Sequence, residues 1–193
     1  MDLALIYRGD LFVPDRSSLE WSGVTREFLH VSGELMHVSV EIVVCHLPSR
    51  LNNAPYRRRA MQSLYRFIGR LSAEGQRVIV MGDFNASPTE NIMRREFALT
   101  NGAISAPLYP NARRGEGSYV YNGRWRMYDN ILICGFDGSP LRYSSGGVYI
   151  KPYLLDNRPG NRKGYPLRTF DGLSYAGGYS DHLPVYILLE LDI

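Results

Sequence analysis

The sequence is poor in cysteine, with 2 in 193 residues. That excludes a disulfide framework and a four-cysteine zinc site. Cys45 and Cys134 each end an apolar run, at 42–45 and 131–134, and read as buried free thiols on strands. A Cys–His zinc site through His46 is the sharper alternative, but no C-x-x-C or paired-His spacing accompanies it. Long apolar runs are missing as well. None approaches the roughly 20 residues that span a bilayer. Residues 1–8 lack the basic region, apolar stretch and small-residue cleavage site of a signal peptide. A cytoplasmic chain with no membrane partner is therefore expected. Charge of one sign is in small excess: 22 Lys and Arg against 19 Asp and Glu leave +3 with His neutral. That balance permits an anionic partner without demanding one. There is no internal repeat, heptad pattern or long low-complexity linker.

What is present is ordinary for a globular chain, with 45% hydrophobic and 21% charged residues. The length suits one domain over 1–193. Strand signals dominate the first third. An apolar run covers 3–7, and a second candidate covers 25–31 with a Ser32-Gly33 turn after it. Val38, Val40, Ile42 and Val44 then alternate with Ser39 and Glu41, a period-2 pattern that delivers His46 at its end. Ala60, Met61, Leu64, Phe67, Ile68 and Leu71 fall on one helical stripe, with Asn53 and Pro55 suited to its start and Gly75 to its end. Arg57, Arg58, Arg59, Arg66 and Arg70 read as the solvated face of that helix, with phosphate binding by one or two as the sharper option.

A buried strand follows at 78–81, so strand, helix and strand suggest an α/β arrangement. A short helix is expected at 90–99, capped by Ser87 or Thr89. Residues 101–117 read as a loop. Asn122-Gly123 fits a two-residue hairpin turn between 119–121 and 124–125. A strand at 128–134, a surface loop at 156–166 and a closing strand at 185–191 complete the reading.

Four stretches are candidates for a chemical site. In Gly82-Asp83-Phe84-Asn85, residues two apart in an extended segment point the same way. Asp83 and Asn85 then converge on Mg²⁺, a water or a phosphate, while Phe84 turns into the core. A plain turn is the competing reading. Ser180-Asp181-His182-Leu183-Pro184 sets a hard oxygen ligand beside an imidazole, against an Asp-capped turn with an exposed His. Cys45-His46-Leu47-Pro48-Ser49-Arg50 offers a phosphate donor in His46 and a clamp in Arg50, against a strand-end His bonded to backbone. In Tyr128-Asp129-Asn130, the carboxylate could orient an imidazole, as in a catalytic triad, or simply start a strand.

In this order, the four stretches resemble the endonuclease/exonuclease/phosphatase superfamily, the deoxyribonuclease I-like fold. Residues 4–8, 46–50, 123–125, 168–170 and 175–178 are similar to a bacterial subgroup of it. The resemblance runs over essentially the whole chain. It implies a two-sheet α/β sandwich with the active site at one edge, and phosphodiester or phosphomonoester hydrolysis with Mg²⁺ or Mn²⁺. It implies Asp181 as a metal ligand, joined by Asp83 and Asn85. Asp83 orients or deprotonates the attacking water, with Asn85 beside it. His182 serves as general base or phosphate-binding cation, with Asp129 as its partner. His46 donates to a phosphate oxygen, and Arg50 and Asn85 help hold the substrate.

Members of that superfamily begin with a strand bearing Asn, a helix, and a strand ending in a metal-binding Glu. No residue here matches either one, and Glu20 and Glu27 lie downstream of the place. The expectation is an N-terminally truncated member with weakened metal affinity and an exposed sheet edge. Either the start lies upstream, or the chain is a remnant, or a second protomer covers the gap. A metal-dependent endonuclease or exonuclease is the first functional expectation. An impaired member that binds a phospho-ligand or protein is the alternative. Net charge and the arginine-bearing helix favour nucleic acid as substrate, although the superfamily also handles lipid head groups and inositol phosphates.

Overall fold

The computed structural model describes residues 3–24, 26–100, 102–160 and 162–192. In chain order the elements are β1 (Phe12–Trp21), β2 (Glu27–Leu35), β3 (Val38–His46), α1 (Ala54–Ala73), β4 (Val78–Asp83), α2 (Asn91–Leu99), β5 (Ile104–Ser105) and α3 (Tyr109–Arg113). They continue with β6 (Tyr119–Tyr121), β7 (Arg124–Arg126), β8 (Asp129–Cys134), β9 (Leu141–Val148), β10 (Phe170–Asp171), β11 (Ser174–Tyr175) and β12 (Val185–Leu191). Six strands form one sheet in the order β1-β2-β3-β4-β8-β5. β9 and β12 pair as a second sheet, and β6–β7 and β10–β11 are separate hairpins. The β3–β4 pair is parallel, because α1 carries the chain back across the sheet between them.

The six-stranded sheet is covered on both faces, which explains its unbroken apolar runs. Val43, Cys45, Val78, Val80 and Leu132 pack under α1 and α2. Their neighbours in sequence, Ile42, Val44, Ile79, Ile131 and Ile133, face the β9–β12 pair through Leu141, Ile187 and Leu189. This is the expected α/β sandwich. α1 also follows its sequence signals. Asn53 caps it by accepting from the Tyr56 N–H at 3.0 Å, and Gly75 leaves it at φ +77°. Leu64 and Ile68 are fully buried on its stripe, each contributing about 1.5–3 kcal/mol of burial.

Several expectations are corrected. Residues 3–7 form no strand; Leu3 and Leu5 pack against the core, but no described strand lies alongside to supply a ladder. The strand before β2 is β1, an edge strand of mostly exposed residues with a register shift between Pro14 and Arg16. Its lack of alternation hid it, and an edge is where a strand tolerates Pro. Ser32-Gly33 is not a turn. Gly33 sits inside β2, where a Cβ would lie 2.5 Å from the Val13 carbonyl and 2.8 Å from the Phe12 ring. The turn falls at Met36 and His37, both at positive φ.

The N-cap position of α2 is Glu90 rather than Ser87 or Thr89, and its side chain makes no capping hydrogen bond to the helix. The Ser87 N–H donates to Glu90 Oε1 at 3.3 Å, and the Ser87 and Thr89 hydroxyls bond each other. The stretch read as a loop at 101–117 holds β5 and α3. β9 and the β10–β11 hairpin carried no clear signal, β9 being rich in Ser and Gly. Thr25 and Asn101, which opened two of the expected segments, lie outside the described residues, as do Met1 and Asp2. Between residues 5–12 and β12 runs an apolar groove of about 480 Å³, lined by Ile6, Leu11, Met81, Ile131 and Tyr186 among others.

Candidate active site

Strand register assembles the site. β3 and β4 run parallel with His46 beside Asp83, and β4 and β8 run antiparallel with Asp83 beside Asp129. Three polar side chains therefore stand on neighbouring strand ends at one edge of the sheet. His46 Nε2 lies 3.5 Å from Asp83 Oδ2. A fourth comes from the distant 180–184 stretch: His182 Nδ1 and Asp129 Oδ2 are 2.6 Å apart.

Each residue is held in place by its surroundings. The His182 N–H donates to Ser180 Oγ at 3.0 Å, and the Leu183 N–H donates to the Ser118 carbonyl at 2.7 Å. The ring of Tyr119 lies 4.6 Å from the His182 ring and stacks on Tyr128 behind it. Gly82 has φ +137°, and a Cβ there would stand 1.9 Å from the Cys45 carbonyl. Only glycine permits this close approach of β4 to β3, and that approach sets Asp83 beside His46. Phe84 is 1% exposed and anchors the block in the core, as expected.

Asn85 converges on Asp83, but through a left-handed backbone at φ 48° rather than by extension, a conformation Asn tolerates. Its backbone N–H donates to Asp83 Oδ1 at 2.7 Å, and its Nδ2 donates to Asp83 Oδ2 at 2.8 Å and to the Leu47 carbonyl at 3.0 Å. Both amide protons are thus spent, leaving Oδ1 to offer. Turn and site are one structure here.

The electrostatics follow from crowding. Burial raises the Asp83 pKa, and the neighbouring Asp129 carboxylate raises it further. Burial works to lower the pKa of His182, yet the Asp129 hydrogen bond and charge, with Asp83 and Asp181, outweigh it and the net shift is upward. Burial pushes the Cys45 thiol well up, helped by Asp83 and Asp129.

The remaining expected residues stand at the rim. Asp181 is half exposed, with Arg168 Nη2 at 3.9 Å. Arg50 donates to Glu90 Oε2 at 2.8 Å and lies 5.4 Å from the Tyr121 ring centre; its guanidinium is engaged by a carboxylate. Arg57 departs from the solvated-face reading, because its Nη2 donates to the Asn85 carbonyl at 2.7 Å. Asn130 was also missed. It is 1% exposed, and its amide donates to the Ala86, Met127 and Tyr128 carbonyls around the G-D-F-N turn. Its one legible signal is a polar residue opening an apolar run.

The donors a cation would use are the carboxylates of Asp83 and Asp181 and Asn85 Oδ1. Among the described residues no group of three or more His, Cys, Asp and Glu forms a ready metal cage. The adjacent, mutually repelling Asp83 and Asp129 supply negative charge that a cation would relieve.

Comparison with known structures agrees on the fold. The chain is similar to the human Nocturnin catalytic domain, with 18% identity, a TM-score of 0.63, and coverage of 94% of this chain and 60% of that one. It is similar to TDP2 of D. rerio complexed with single strand DNA product, with 17% identity, a TM-score of 0.63, and coverage of 95% and 70%. A mannosyl-6-phosphatase of Bacteroides thetaiotaomicron gives 14% identity, a TM-score of 0.59, and coverage of 95% and 68%. The chain thus spans less than two thirds of the Nocturnin chain. No curated protein matches it in sequence. The family model described as Endonuclease/Exonuclease/phosphatase family matches residues 1–191, and the chain belongs to that family.

Proposed function

We propose that this chain is a metal-dependent phosphoesterase acting on phosphodiester bonds, with nucleic acid as the favoured substrate. One observation carries the reading: register sets His46, Asp83 and Asp129 side by side at one sheet edge, and His182 closes on Asp129 at 2.6 Å. Asp129 fixes the imidazole and keeps the proton on Nδ1, so the neutral ring presents Nε2 as a proton acceptor. Asp83, with Asn85 bonded to it, orients the attacking water and His182 takes its proton. His46, at the other side of Asp83, donates to a non-bridging phosphate oxygen, where negative charge grows in the transition state. Arg50 stands at the rim to meet a neighbouring phosphate. Mg²⁺ or Mn²⁺, held by Asp181, Asp83 and Asn85 Oδ1, would supply Lewis-acid stabilisation of the same charge.

The similar structures support this class of chemistry, one being a mannosyl-6-phosphatase and another a complex with a single-stranded DNA product. The net charge of +3 and the exposed arginines of α1 favour a polyanion. The test is nicking of plasmid DNA by the purified chain with Mg²⁺, beside EDTA and His182→Ala controls. Nicking abolished in both controls supports the reading. A folded wild-type chain that cleaves neither plasmid, single-stranded DNA nor p-nitrophenyl phosphodiesters overturns it.

A further inference from the structure

Beside Asp181 lies a polar cavity of about 430 Å³ that the proposed chemistry leaves unused. One wall is the β6–β7 hairpin, with Val120, Asn122 and Gly123; the other is Arg162, Tyr165 and Arg168. The walls are built, not incidental. The Tyr165 ring meets Trp125 edge to face, and its hydroxyl donates to the Gly123 carbonyl at 3.4 Å. The segment around Arg168 is tied to the loop that leads to Asp181. The Gly178 N–H donates to the Arg168 carbonyl at 3.2 Å, and the Tyr179 N–H donates to the Leu167 carbonyl at 3.0 Å. A Cβ on Gly178 would lie 1.8 Å from that same Leu167 oxygen. The two stretches 168–170 and 175–178, noted in the sequence but absorbed by no catalytic role, therefore pack on each other to fix Arg168.

The lining is basic, although each arginine keeps one carboxylate neighbour. Two guanidinium groups line it, against the single carboxylate of Asp181. Arg162 Nη1 bonds Asp171 at 2.8 Å through one edge of its fork. Arg168 reaches no closer than 3.9 Å to Asp181, beyond hydrogen-bonding distance. Arginine forks in a recess of this volume suit a phosphate held by charge-assisted hydrogen bonds. Two of the lining residues, Val120 and Asp181, are chain neighbours of Tyr119 and His182, whose rings lie 4.6 Å apart, which sets the recess next to the candidate site.

We propose that this cavity is a second-phosphate subsite, in which Arg168 and Arg162 bind the phosphate adjacent to the one hydrolysed. It rests on the phosphoesterase reading and deepens it. The substrate class becomes a nucleotide chain with neighbouring phosphates rather than an isolated phosphoester.

The test compares binding of thymidine 5′-phosphate and thymidine 3′,5′-bisphosphate by calorimetry, with Ca²⁺ in the buffer to keep turnover slow. In the wild-type chain the bisphosphate binds about tenfold tighter or better, as one added charge-assisted contact requires. The ratio falls toward one in Arg168→Ala and in Arg162→Ala, and Arg168→Lys keeps part of it. Arg162 is half exposed, so its variant carries the test should Arg168→Ala fail to fold. A wild-type ratio near one, or a ratio that neither alanine variant moves, overturns the subsite. Because the readout is binding, an inactive chain that keeps the ratio sinks the hydrolytic reading alone. An active chain with a ratio of one sinks the subsite alone.

Discussion

Replacing Asp129 with Asn keeps the size and planarity of the side chain and removes one charge. The carboxylate meets His182 Nδ1 at 2.6 Å with both side chains about a quarter exposed or less, at 21% and 26%. A hydrogen bond to a charged group contributes about 1.5–3 kcal/mol. At 1.4 kcal/mol per decade, kcat/KM on a p-nitrophenyl phosphodiester falls by roughly ten- to a hundredfold in Asp129→Asn. The amide oxygen still accepts from Nδ1, so the loss reports the charge rather than the ring's position.

The pH profile carries a second signature. Asp129 raises the pKa of both His182 and Asp83. His182 accepts a proton only when neutral, so the wild-type rate climbs as pH rises through its elevated pKa. In Asp129→Asn the climb begins at lower pH and reaches a lower plateau.

Stability shifts with a defined sign. A raised histidine pKa stabilises the fold below the unfolded value near 6.5 and loses that contribution as pH rises through the folded value. Relief of the Asp83–Asp129 repulsion favours the variant wherever Asp83 is ionised. The melting temperature of Asp129→Asn therefore falls furthest below wild type on the acid side of neutrality. The gap narrows or reverses toward pH 9. A rate within twofold of wild type, or a rising limb that does not move to lower pH, refutes the assignment. A wild-type rate that falls through the same range would make His182 a phosphate-binding cation instead.

Other perturbations test the frame around the site. Gly82→Ala places a methyl 1.9 Å from the Cys45 carbonyl at a positive φ; we expect a loss above about 3 kcal/mol in urea unfolding, or no soluble protein, from combined strain and overpacking. Asn53→Ala removes the α1 cap and costs about 1 kcal/mol, read as a melting temperature lower by about 2–4 °C with kcat unchanged. Arg57→Ala frees the Asn85 carbonyl; kcat/KM should drop about tenfold, the scale of a charge-assisted hydrogen bond, while far-ultraviolet circular dichroism stays the same. EDTA should abolish turnover without unfolding the chain, since the core on both sheet faces is apolar and independent of the site; a large drop in melting temperature on chelation would show a structural metal instead.

Local chemistry was legible wherever one segment decides its own structure. β3 announced itself by alternation because its two faces meet different layers. α1 announced itself by an apolar stripe bounded by Asn53 and Gly75, and the β6–β7 hairpin by Asn122-Gly123, both at positive φ. β1 gave no such signal, because an edge strand with a bulge near Pro14 buries little on either side. Gly33 misled for a related reason. Its missing side chain answers to the Phe12 ring on another strand, not to a turn in its own. Arg57 was hidden because its helix face is polar by sequence, and only packing directs it onto the Asn85 turn.

The site divides along the same line. The candidate residues, His46, Asp83, Asn85, Asp129, Asp181 and His182, stood out in the chain because polar groups bordering an apolar run are a local event. Their pairing could not. Asp129 and His182 are 53 positions apart and meet through the Tyr119 bridge and the packing of Leu183. Asp83 stands between His46 and Asp129 because a parallel and an antiparallel register coincide at one residue. Register and loop packing depend on contacts far apart in the chain, and a one-residue slip would turn each carboxylate to the opposite face. Residue chemistry was thus written in the sequence, while distance, charge coupling and the arginine-lined cavity beside Asp181 came only from folding.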